Sequence, residues 1–311
     1  VSTTRTTSRP DDGDSGSAGW VIATVAAMDT STIPTSDVVT VELRDHVAVV
    51  WLDRPDQRNA MAPSFWIEFP KIIEALSGDS DVRALVIAAR GPAFTVGLDL
   101  KEFGPVLATG GLEPGAAPPA SPVAQRRATF ALVKRMQQAF SSLADCPKPV
   151  VAAVHGYCIG AGVDLITACD IRYAAADAVF SVRETKLAMV ADVGTLQRLP
   201  SIIDPGWVAE VAFTGRDFTA AEALDMGLVT KVLTDAEAVQ KEAFALAEQI
   251  AANSPLAVQG TKAVLQAGRG RSIEESLDYV ALWNAAYLQS DDLVEAMAAF
   301  AERRAPDFEG R

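Results

Sequence analysis

Between Val150 and Ala168 the chain runs through an apolar pentapeptide, a cluster of glycines and a second apolar stretch. VVAAV at 150–154 reads as a buried strand. Gly156, Gly160 and Gly162 then break it into a turn, and residues 163–168 read as a short apolar helix. A strand, a glycine turn and a helix start aim backbone N–H groups at one point, where they can meet negative charge. Three carboxylates sit in or just beyond this stretch: Asp164, Glu184 and Asp192. Each is set among small or apolar residues, where a charge is costly unless it has a partner or a use.

The rest of the chain supplies alternating strands and helices. Residues 1–36 are rich in Ser, Thr, Asp and Gly and read as a disordered head. Residues 38–43 and 47–52 read as two strands joined by a tight turn at 44–46. Pro55 and Asn59 mark a loop, and Pro63 suits the first turn of a helix reaching Leu76. Residues 84–88, ALVIA, form a short buried strand, which Gly91-Pro92 turns into FTVGLDLKEF at 94–103. Residues 104–122 are rich in Gly, Pro and Ala and read as one long loop. Residues 123–145 carry helical spacing through Phe130, Val133, Met136, Phe140 and Leu143. A helix is expected over 205–213. A capping box, Thr219-Ala220-Ala221-Glu222, opens another that ends at Gly227. A strand follows at 229–233, and from Asp235 onward the pattern is almost wholly helical. No repeat recurs at a fixed period. Alternating strands and helices imply an α/β fold, with a core at 37–234 and a helical subdomain at 235–311.

Composition removes several classes of function. A net charge of -13 argues against nucleic acid or an anionic membrane as partner. No apolar run is long enough to span a bilayer, so no membrane insertion is expected. The apolar stretch at 20–28 follows Asp11, Asp12 and Asp14 rather than basic residues, which argues against a secretory signal and a mitochondrial presequence. Met28 is a candidate start, and Glu309-Gly310-Arg311 is not a peroxisomal tripeptide. Cys146, Cys158 and Cys169 have neither metal spacing nor an even count; they read as reduced core residues, which fits a cytoplasmic enzyme. His46 and His155 lack a nucleophile at a recognisable spacing and read as structural. Neither a metal site nor a dinucleotide fingerprint appears.

HGYCIGAGVDLITACDIRYA, followed by FSVRETKLAMVADVGTLQRLP, resembles the crotonase (enoyl-CoA hydratase/isomerase) superfamily, and within it the Δ3,5-Δ2,4-dienoyl-CoA isomerases. LDRPDQRNAM at 52–61 and FTVGLDLKEF at 94–103 are similar to the family's CoA-binding and first oxyanion-hole segments. The likeness runs from about Val38 to the C-terminal helices. It implies a crotonase-like spiral of ββα units with a C-terminal helical oligomerisation subdomain, assembled as trimers or hexamers. It also implies an acyl-CoA thioester substrate and no separate cofactor, since coenzyme A belongs to the substrate.

The resemblance also assigns roles. The N–H groups of Leu98 and Ala161 become the oxyanion hole, stabilising an enolate without adding a titratable group. Hydratases of the superfamily carry two glutamates at the positions of Asp164 and Glu184, and glycine where this chain has Asp192. The isomerases carry all three acids. Moving a 3,5-diene into 2,4-conjugation takes a proton from C2 and adds one at C6. The resemblance makes Asp192 the base at C2 and Glu184 the acid at C6, with Asp164 supporting the site or tuning Glu184. Arg58, Ala60, Ala62 and Lys101 fall at CoA-contacting positions. Plainer readings stand beside these. Asp192 could be an N-cap before Thr195, Glu184 a partner for Arg183 or Lys186, and Asp164 a first-turn acid meeting a helix dipole. A hydratase, or a non-catalytic acyl-CoA-binding member, are the alternative functions.

Overall fold

The computed structural model describes residues 33–113 and 115–311. The head up to residue 32, with the stretch at 20–28, lies outside the described residues. The strands are β1 (Val39–Arg44), β2 (Val47–Leu52), β3 (Ala84–Ala89), β4 (Val150–Val154), β5 (Tyr157–Ile159), β6 (Ile171–Ala175), β7 (Val179–Ser181), β8 (Phe218–Thr219) and β9 (Lys231–Leu233). The helices are α1 (Pro63–Gly78), α2 (Leu100–Thr109), α3 (Pro122–Asp145), α4 (Ala161–Thr167), α5 (Thr195–Arg198), α6 (Pro205–Thr214), α7 (Ala220–Asp225), α8 (Ala236–Ala251), α9 (Pro255–Ala267), α10 (Ile273–Tyr287) and α11 (Asp291–Glu302).

Six strands form one sheet in the order β1-β2-β3-β4-β6-β9. The β1–β2 hairpin is antiparallel and every later pairing in this sheet is parallel. Strands buried on both faces need continuous apolar sequence, and VAVVWL, ALVIAA and VVAAV supply it. Their alternation divides two cores. Val47, Val49, Trp51, Val86, Val151 and Ala153 meet Val239, Ala243, Ala247 and Ala251 of α8. The four-residue spacing of small side chains on α8 lets it lie close to the sheet. The other face, with Val50, Ile87, Ala152 and Val154, packs with Phe65, Trp66, Phe69 and Ile73 of α1 and Phe140 of α3. Full burial of a side chain such as Phe69 contributes about 1.5–3 kcal/mol over leaving it exposed. A second sheet, β5-β7-β8, is small. Buried Lys262 on α9 ties the later helices to the main sheet, donating to Asp170 Oδ2 (2.7 Å) and the Lys148 carbonyl (2.9 Å).

Two sequence expectations are corrected. Residues 104–122 are not one loop, because α2 reaches Thr109 despite Gly104 and Pro105. Asp99 caps it by accepting from the N–H groups of Lys101 and Glu102, and the buried side chains of Phe103 and Val106 anchor it. The loop is left with the residues between Gly110 and Ser121. The glycine turn at 156–162 is likewise not all turn. It contains β5, and α4 begins at Ala161 rather than Val163. Pairing with residues 95 and 179–181 makes that strand, and such distant partners leave no local pattern.

Candidate active site

Asn59 organises the first wall. It is buried with φ +56°, a conformation Asn tolerates better than most residues. Its Nδ2 donates to the carbonyls of Arg90 and Ala93 (both 2.8 Å), and its Oδ1 accepts from the Arg54 N–H (2.7 Å). The loop so fixed zips onto the 94–103 segment. Val96 N–H donates to the Arg58 carbonyl, Met61 N–H to the Gly97 carbonyl, and Asp99 N–H to the Met61 carbonyl. Arg58, Ala60, Ala62 and Lys101 are thereby brought onto two adjoining segments. Arg58 and Lys101 face solvent, whereas Ala60 and Ala62 are buried. Arg54 is already engaged by Asp99 and Glu102.

The second wall is the glycine turn. Thr95 N–H donates to the Tyr157 carbonyl and Ile159 N–H to the Thr95 carbonyl, so the two glycine segments run side by side. Gly97 has φ +83°, and a Cβ there would stand 2.6 Å from the Ile159 carbonyl oxygen and 3.4 Å from the Ala161 nitrogen. Only glycine permits that approach. The N–H groups of Leu98 and Ala161 flank this contact and make no hydrogen bond among the described residues. An unpartnered N–H next to another, both on tightly held backbone, is the arrangement an oxyanion needs.

The three acids converge beside it. Asp164 on α4 is fully buried, and its Oδ1 accepts from the Thr195 N–H at 2.5 Å. Its Oδ2 is buried with no partner among the described residues. Burial, then the charge of Glu184, push the Asp164 carboxyl up to about 7. Glu184 opens a short 3-10 turn after β7. A Cβ on Gly160 would lie 3.2 Å from its Oε1, which places this carboxyl against the glycine turn. Its Oε2 is also buried and unpartnered among the described residues. Burial raises its pKa, and the nearby Asp192 charge adds to the rise. Asp192 faces solvent along one side, and partial desolvation raises its pKa as well.

The plainer readings of the acids meet a different geometry. Asp192 does not cap α5: Gly194 holds the cap position without a side-chain bond, and Asp164 takes the Thr195 N–H instead. Glu184 makes no ion pair with Arg183, which binds Asp217, or with Lys186. Asp164 does lie in the first turn of α4, yet its carboxylate reaches across to α5. His46 and His155 bond backbone carbonyls of Asp81 and Gly91, and all three cysteines are free and buried. Sequence reasoning missed Asn59 as the keystone of the first wall and Thr195 as the partner of Asp164. An Asn before a loop and a Thr after a glycine are too common to signal either.

The chain matches the enoyl-CoA hydratase/isomerase family model over residues 42–109 and 123–311, and it belongs to that family. It is 46% identical over 262 residues to the mitochondrial Delta(3,5)-Delta(2,4)-dienoyl-CoA isomerase of Rattus norvegicus, covering 83% of this chain and 77% of the relative. It is 45% identical over 259 residues to the peroxisomal enzyme of the same name from Arabidopsis thaliana, covering 83% and 90%. Among solved structures, the enoyl-CoA hydratase from Bacillus anthracis superposes with a TM-score of 0.78 at 28% identity, covering 88% of this chain and all of that one. The crotonase fold and the family read from the glycine segments are therefore correct. The two relatives are named for mitochondria and peroxisomes, and they lend no support to the cytoplasmic placement read from the cysteines. No helix among the described residues is long and apolar enough to cross a membrane.

Proposed function

We propose that this chain is a Δ3,5-Δ2,4-dienoyl-CoA isomerase. The observation that carries the reading is the third acid, Asp192, standing with Glu184 and Asp164 beside two free N–H groups. The thioester carbonyl sits between the N–H groups of Leu98 and Ala161. Asp192, the most solvated of the three acids and so the most readily ionised, takes the C2 proton. The electron pair moves into an extended enolate whose oxygen the two N–H groups stabilise. Glu184, which burial keeps protonated to higher pH than a free carboxyl, delivers a proton to C6. The double bonds then stand at C2 and C4. Electrons balance within the substrate, so the step calls for no cofactor beyond the CoA that the substrate carries. Asp164 supports the site from behind Glu184, whose charge, after burial, helps push the Asp164 carboxyl up to about 7.

Arg58 and Lys101 face solvent next to the first wall and suit the CoA phosphates, with the Ala60 and Ala62 backbone lining the approach. The C-terminal helices complete the proposal. Among the described residues α10 has no fully buried side chain, and Ile273, Leu282, Val294 and Phe300 are exposed over more than two-thirds of their surface. Exposed apolar side chains of this number suit an interface, here one between copies of the chain in a trimer or hexamer.

A paired ultraviolet assay tests the activity. With a 3,5-dienoyl-CoA the conjugated 2,4-dienoyl absorbance should grow, and with a short trans-2-enoyl-CoA little should change. Loss of enoyl absorbance with a silent dienoyl cuvette would instead mean a hydratase.

A further inference from the structure

Asp192 lies on a short stretch without regular structure between Leu187 and Thr195, and its side chain faces solvent. Among the described residues only its own backbone N–H bonds its carboxylate; no other residue fixes it. Its backbone, by contrast, is held. Gln137, projecting from α3, donates from Nε2 to the Asp192 carbonyl at 2.7 Å. The amide's orientation is over-determined. Lys134, one turn earlier on α3, donates from Nζ to Gln137 Oε1 at 2.8 Å. An ammonium can only donate and a carbonyl can only accept, so both neighbours demand the same flip. The next carbonyl, that of Val193, receives a longer bond of 3.4 Å from Arg198 Nη1, and Arg198 Nη2 donates to Ser141 Oγ, again on α3. The guanidinium lies so close to Gly194 that a Cβ there would stand 1.8 Å from Nη1. Two consecutive carbonyls are thus tied, directly or through Arg198, to one helix.

We infer that Gln137, set by Lys134, is a positioning residue that holds Asp192 at the reacting carbon. The inference rests on the reading of Asp192 as the C2 base. A base on an untethered segment samples many positions, and a misplacement of about 1 Å can cost on the order of 100-fold in rate. A hydrogen bond to the backbone of the base restricts it without touching its carboxylate, so the proton affinity of Asp192 is left free for chemistry. The bond also links the base to α3, so the position of the helix and the position of the base are set together.

The test measures isomerisation and thermal stability for wild type, Gln137→Ala, Gln137→Glu and Asp192→Asn. Gln137 is half-exposed, so its truncation leaves the core intact. Gln137→Ala should lower kcat by about tenfold, the rate equivalent of one net hydrogen bond, with KM and Tm close to wild type. Gln137→Glu keeps the shape but, ionised, has no donor for the Asp192 carbonyl, and it should lose at least as much. Wild-type kcat in both Gln137 variants, or a kcat loss matched by a fall in Tm, overturns the inference. Undiminished activity in Asp192→Asn would instead remove the assignment of the base on which it depends.

Discussion

The glycine turn with its acids and the C-terminal helix pair solve opposite problems. In the first region nearly every apolar side chain is buried, from Val150 through Ile166, and among the described residues what remains without a partner is polar: two N–H groups, His155 Nδ1, and one oxygen each of Asp164 and Glu184. In α10 and α11 the polar groups are well served, with capping bonds from Ser272 and Ser290, and what lacks a partner is apolar. Unsatisfied polar atoms in a dry place are strained toward a ligand that can bond them. Unsatisfied apolar area is driven toward another surface. The proposed chemistry and the proposed assembly thus rest on two different kinds of incompleteness in one chain.

The comparison can be broken at three points. The largest effect is expected at Gly97. Gly97→Ala puts a Cβ 2.6 Å from the Ile159 carbonyl at a φ that disfavours any side chain. Separating the two glycine segments should move the proposed oxyanion donors and lower kcat by roughly 100-fold, the scale of one lost oxyanion-hole donor. Steady-state kinetics on a 3,5-dienoyl-CoA would check this, and a wild-type rate would detach the turn from the chemistry. Next comes Phe300→Glu, on the other region. Sedimentation should show a shift toward smaller species, while the isolated fold keeps its circular dichroism; unchanged assembly would mean that α11 faces solvent as it stands.

The smallest effect concerns Asp164, and its sign follows from its raised pKa. A carboxyl whose folded pKa is above the unfolded one favours the fold at low pH, and that contribution is lost as pH rises through about 7. Asp164→Asn keeps an oxygen to accept from the Thr195 N–H and removes the charge. It should therefore raise Tm by a few degrees at pH 8 and by less at pH 5, where the unfolded carboxyl has ionised but the folded one is still largely protonated. Equal Tm values at both pH values would show that burial of this charge costs the fold nothing.

Much of this arrangement was legible in the sequence because it depends on local chemistry. Pro63, and Thr219 with Glu222, each open a helix where capping rules place one. The acids and the 156–162 glycine turn are legible as residue types in an apolar setting, whereas the 94–103 segment is legible through the family resemblance. What escaped was non-local. The strand β5 exists because Thr95 and β7 flank it, and α2 persists through Pro105 because Phe103 and Val106 are buried. The bonds from Thr195 to Asp164 and from Gln137 to Asp192 join residues 31 and 55 positions apart. No periodicity records such a meeting. The plain reading of Asp192 as a cap was reasonable locally, and it fails because an acid from another helix already occupies the N–H in question.

The division of labour between the two outer acids is the central claim, and solvent deuterium exchange separates them. Wild type, Glu184→Gln and Asp192→Asn would be incubated with a 3,5-dienoyl-CoA in deuterated water, and label would be read at C2 and C6. If Asp192 is the base at C2 and Glu184 the acid at C6, Glu184→Gln still exchanges C2 while the 2,4-diene fails to accumulate, and Asp192→Asn does neither. Persistent C2 exchange in Asp192→Asn would contradict the account.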